Sequence, residues 1–67
     1  MTMVKVYIAC EEQKLSYVLE RLCGYDFMLE TKVLSLSKRA YLLFGAIDED
    51  CLQIANRING ITATWIA

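Results

Sequence analysis

Histidine is absent from the 67-residue chain, and with it the side chain that most often acts as general base near neutral pH or activates a catalytic thiol. A nucleophilic enzyme would have to work through Cys10, Cys23 or Cys51 with no imidazole beside them, so the reading is non-enzymatic and calls for no cofactor. Three cysteines are also an odd number, widely spaced and without a Cys-x-x-Cys pair. That pattern excludes the even disulfide framework of small secreted scaffolds, and a structural zinc site would have to recruit carboxylates or a second chain. There is no Pro-rich or Gly/Ser-rich linker, so the chain reads as a single domain over residues 1–67. No apolar run approaches the roughly 20 residues of a membrane helix. The opening Met1-Thr2-Met3-Val4-Lys5 lacks the layout of a signal peptide. The expectation is a soluble cytoplasmic protein with no membrane partner. Charge of one sign is lacking too: 7 Lys and Arg against 8 Asp and Glu argues against a generic polyanion binder.

What the chain has in excess is apolar side chains. They make up 57% of it, above the about 45–50% of ordinary soluble domains, which points to a dense core together with apolar surface kept for a partner. Their spacing gives the elements. Val4, Val6 and Ile8 alternate with Lys5, Tyr7 and Ala9, the period of a half-buried strand. Leu15, Val18, Leu19 and Leu22 then repeat at helical spacing, with Glu11 and Glu12 at the positive end of the helix and Gly24 placed to supply a left-handed terminating residue. Phe27 to Leu36 returns to period two, Ser37-Lys38-Arg39 interrupts, and Ala40 to Ile47 continues, which is a hairpin. Asp48 offers a side-chain oxygen to the start of a second helix whose buried stripe is Cys51, Ile54, Ala55 and Ile58, ending at Asn59-Gly60. Ile61 to Ile66 closes as a strand.

This β-α-β-β-α-β order predicts an α+β, ferredoxin-like fold, because right-handed crossovers send both helices to the same side of the sheet. The four antiparallel strands then lie in the order 4-1-3-2, with one sheet face left free of helices. With Val4, Val6 and Ile8 turned to the helices, Lys5 and Tyr7 face out. With Leu42, Phe44 and Ala46 turned in, Arg39, Tyr41 and Leu43 face out. The candidate binding face is therefore Lys5, Tyr7, Met28, Lys32, Leu34, Arg39, Tyr41 and Leu43.

Val6-Tyr7-Ile8-Ala9 resembles the first-strand motif of the RNA-recognition-motif family, and Ala40-Tyr41-Leu42-Leu43-Phe44 resembles the later half of its third-strand motif. The helical patterns ending at Gly24 and at Asn59-Gly60 are similar to that family's two helices. The resemblance implies base stacking on Tyr7 and Tyr41, with Lys5, Lys32 and Arg39 steering phosphates. The chain departs from the motif at Arg39, where the family carries another aromatic, at Lys38, where it carries glycine, and at Ser37, where it carries a basic residue.

Tyr7 and Tyr41 as cross-strand neighbours would equally stabilise a sheet without binding anything. Mixed with Met28, Leu34, Leu43 and Ile66, and rimmed by Lys5, Glu30, Lys32 and Arg39, they also match the composition of a protein interface. The leading expectation is a small protein-interaction module, acting as adaptor, inhibitor or homodimer through the helix-free face or an edge strand. Single-stranded RNA or DNA binding is the alternative, and a small-ligand regulatory domain a further one. Cys10 reads as a structural thiol and Cys23 and Cys51 as core residues. Asp48-Glu49-Asp50 reads as helix capping, and Trp65, in phase with Ile61 and Ala63, as core on an edge strand or as an anchor if that strand pairs across a dimer.

Overall fold

The computed structural model describes residues 2–67, so Met1, the first residue of the stretch read for a signal peptide, lies outside the described residues. Strand β1 (Met3–Glu11) leads through a 3-10 turn (Glu12–Lys14) into helix α1 (Leu15–Cys23). Strands β2 (Met28–Ser35) and β3 (Ala40–Asp48) form the hairpin, and a second 3-10 turn (Glu49–Cys51) opens helix α2 (Leu52–Ala55) before β4 (Ile61–Ile66). All pairings are antiparallel in the order β2-β3-β1-β4, which is 4-1-3-2 read from the other edge. The ferredoxin-like architecture is as expected. No helix among the described residues is long and apolar enough to cross a membrane.

Burial follows the strand period in β1, where Val6, Ile8 and Cys10 are fully buried and pack with Val18 and Leu22 of α1. Ala55 of α2 and Ile58 just beyond it complete the same cluster, so both helices cover one side of the sheet. Asp48 behaves as predicted, its Oδ1 accepting the Asp50 N–H at 3.0 Å.

Strand β3 sits in the opposite phase to the one expected. Leu43 and Ile47 are fully buried against the helices and Gly45 lies between them, whereas Leu42, Phe44 and Ala46 face the helix-free side. Leucine or phenylalanine occupies both phases here, so periodicity does not choose between them; Gly45 does. A Cβ on Gly45 would collide with the Met28 carbonyl oxygen and stand 2.8 Å from Phe27 Cζ, so the inward phase leaves a gap that the Phe27 ring occupies.

In β2 a bulge at Glu30, between Leu29 and Thr31, reverses the alternation. Met28 pairs with Ala46 on the helix-free side, but Lys32 and Leu34 pair with Leu43 and Tyr41 on the helix side.

Several expectations are corrected at single residues. Gly24 has φ −67° and is not left-handed; Asp26, at φ 59°, is the residue that turns the chain out of α1. Phe27 N–H then closes the turn on the Leu22 carbonyl at 3.2 Å, and the short Asp side chain tolerates the conformation. Cys23, the last residue of α1, is exposed rather than core, and so is Ile54, because α2 is a single turn and only Ala55 on it is fully covered. Gly60, at φ 108°, does need its glycine, and a Cβ there would also press on Lys14 and Val18. The start of α1 is tied to this turn by Lys14 Nζ, which donates to Asn59 Oδ1 at 3.0 Å.

A candidate binding face on the helix-free side

Residues directly opposite in an antiparallel ladder project to the same face, so the register fixes what the helix-free side presents. One cross-strand row runs Thr31, Phe44, Tyr7 and Trp65, and the next runs Val33, Leu42, Ala9 and Ala63. Aromatic rings thus stand beside a row that drops to alanine on β1 and β4, at Ala9 and Ala63. The difference in height makes an open groove of about 410 Å³ with Tyr7, Leu42 and Trp65 as walls and Ala9 and Ala40 as floor. Tyr7 and Phe44 lie with ring centroids 4.7 Å apart and 35° between planes, an arrangement that fixes both rings. Trp65 is 51% exposed, so the expectation of a core residue is corrected. A register shift between Ala9 and Cys10 separates it from Ile61, which pairs with Cys10 and packs on the core.

The candidate residues divide between the two sides. Lys5, Tyr7 and Met28 lie on the helix-free face. Leu43 is fully buried in the core, and Tyr41 packs against that core with Lys32 Nζ 5.9 Å above its ring and Leu34 opposite. Arg39 sits in the hairpin turn at φ 50°, where its carbonyl accepts the Glu12 N–H at 3.0 Å. The register thus turns Tyr7 and Tyr41 to opposite faces, although Tyr41 still contributes to the lining of the groove beside Tyr7. The rings that join Tyr7 are Phe44 and Trp65, together with Leu42, and strand periodicity alone had placed all three in the core.

Charge on this face is sparse. Lys5 lies 5.6 Å from the Phe44 centroid and is ion-paired with Glu30, so its positive charge is already matched. Lys38 borders the groove from the turn. Lys32, on the other side, adds nothing to it.

The thiols offer little chemistry. Burial pushes the Cys10 thiol above its ordinary value of 9.0, a hydrogen bond with the Tyr41 backbone opposes this, and the nearby Glu11 charge adds to the rise. Cys51 is likewise raised, first by desolvation and then by Asp48, Asp26 and Asp50. Both stay protonated at neutral pH. Among the described residues no three His, Cys, Asp or Glu side chains are grouped to hold a metal ion.

Comparison with protein-family models and with curated proteins gives no match to this chain.

Proposed function

We propose that the chain is a small non-enzymatic protein-interaction module that binds through the helix-free face of its sheet. The observation that carries this reading is the groove beside Tyr7, Leu42 and Trp65, apolar and open yet almost without unmatched charge. Apolar side chains left to water at a concave site are stabilised by a partner that covers them, and aromatic residues supply much of the binding energy at such sites. The Tyr7–Phe44 pair is held by the sheet before any partner arrives, which lowers the ordering cost of association.

Single-stranded nucleic acid is the second reading, favoured by the exposed rings of Tyr7 and Trp65. Its weakness is electrostatic: binding a phosphate backbone releases counterions only where cations are free, and with Lys5 paired and Lys32 facing away, Lys38 is left to carry it at the groove.

The test places a photo-crosslinking residue at Leu42, on the groove, and at Gln53, exposed on α2, in separate proteins expressed in the producing cells. Protein adducts at Leu42 that are absent at Gln53 support the proposal. Adducts at Leu42 that disappear on nuclease treatment move the reading to nucleic acid, and equal adducts at both positions remove the face from consideration.

A further inference from the structure

The helix-free face ends at β4, and β4 is a sheet edge with unpaired backbone groups. The direction of those groups follows from the ladder. Glu11 N–H donates to the Gly60 carbonyl and Ala67 N–H to the Lys5 carbonyl, both at 2.9 Å, whereas Glu12 N–H donates at 3.0 Å towards the β3 side, to Arg39. Odd-numbered residues of β1 therefore bond to β4. Thr64 and Ile66, which stand opposite Ile8 and Val6, direct their N–H and C=O groups outwards.

The two edges of the sheet differ in how they are guarded. β2 carries Glu30, Lys32 and a bulge, the devices that discourage edge pairing. The last ionisable side chain before β4 is Arg57, and from Ala63 onwards the strand is regular. Thr64 also holds a buried hydroxyl, Oγ1, that has no hydrogen-bond partner among the described residues.

We infer that β4 pairs antiparallel with β4 of a second copy about a two-fold axis at Thr64; this rests on the protein-interaction reading and adds a second copy at the sheet edge, leaving the groove open to its own partner. A two-fold axis sets every charge near it against its own copy, so a self-pairing strand must be neutral there, and β4 is. In this register Thr64 meets the partner's Thr64; its Oγ1 is covered by its own chain in the single copy, so a χ1 rotation towards the edge is what lets the two hydroxyls bond across the strands. Ala63 meets the partner's Trp65 on the helix-free side, a small residue against a large one. The sheet grows to eight strands, the two grooves lie side by side, and the guarded β2 edges stop assembly at two copies. A six-residue strand is about 20 Å long, and the interface is small, so the dimer dissociates at micromolar rather than nanomolar protein.

Light scattering across about 1 µM to 1 mM protein, where a small interface equilibrates, should show the mass rising from 7.7 kDa to twice that value. Thr64→Pro removes an N–H that β1 does not use, and Thr64→Lys puts like charges on the axis. Both should stay monomeric, while Val33→Lys on the opposite edge should still dimerise. In the unaltered protein the Thr64 and Ile66 amides should exchange more slowly as concentration rises, a readout independent of how the variants fold. A constant monomer mass, a dimer that survives both Thr64 substitutions, or growth past two copies would each overturn the pairing. Its failure leaves capture at Leu42 untouched, so the broader reading falls only if that capture fails as well.

Discussion

Gly45 and Phe27 together show how one residue sets the orientation of a strand. The ring of Phe27 lies where a side chain at position 45 would be, so Gly45→Ala forces the ring or the β2 backbone to move. We predict a loss of about 1–3 kcal/mol, the usual range for overpacking a core, measured as a lowered midpoint in chemical denaturation. Arg39 is the converse case. It holds φ 50° with a Cβ, so Arg39→Gly should relieve strain of about 1 kcal/mol, less the extra chain entropy, and raise the same midpoint. Cys10 supplies a pH signature. Its thiol is raised by burial, so the folded state holds that proton more tightly than the unfolded chain. The resulting stability is complete below the ordinary thiol value and is lost as pH climbs through the higher folded one. Denaturation midpoints should fall as the pH rises past the ordinary thiol value of 9.0, and less so in Cys10→Ala. A thiol reagent at neutral pH should label exposed Cys23 well before Cys10.

At the scale of elements, the sequence is legible wherever its pattern has one solution. β1 alternates cleanly and α1 shows its buried stripe at Val18 and Leu22, so the buried faces of both are placed correctly from the residues alone, but Glu11, expected at the helix start, ends β1, and α1 begins at Leu15 after the 3-10 turn. The buried face of β3 is not so placed, because Leu42, Leu43 and Phe44 satisfy either phase, and only contact with Phe27 from another element separates them. The bulge at Glu30 leaves no mark in composition either: one extra residue transfers Lys32 and Leu34 to the helix side while Met28 stays on the open one. These two local events account for the split of the expected binding face. Phe44 had a signal available, since Gly45 in the neighbouring phase marks the side where a ring from elsewhere must fit. The second helix shows the same limit. Ile54 falls on the expected stripe, but a single helical turn buries only part of it. Ile54→Gln should therefore change stability by under about 0.5 kcal/mol, whereas Ile58→Ala should cost about 2–4 kcal/mol by thermal or urea unfolding. Comparable losses for the two would contradict the assigned packing.

For the whole molecule, the fold order was readable and the face was not, yet the corrected face is more apolar than the one expected. Moving Lys32, Tyr41 and Arg39 away from Tyr7 and bringing in Phe44, Leu42 and Trp65 weakens the charge needed for phosphate contacts and strengthens the case for a protein partner. Trp65 is the one tryptophan in the chain and forms a wall of the groove, so its emission reports directly on whether that surface is covered. The decisive measurement follows Trp65 fluorescence while the protein captured at Leu42 and, separately, a random single-stranded RNA pool are titrated in at low and at high salt. The account predicts a blue shift with the protein, nearly equal at both salt concentrations and lost in Leu42→Lys, with no response to RNA. Quenching by RNA at low salt that high salt reverses, with no shift on adding the protein, would contradict it.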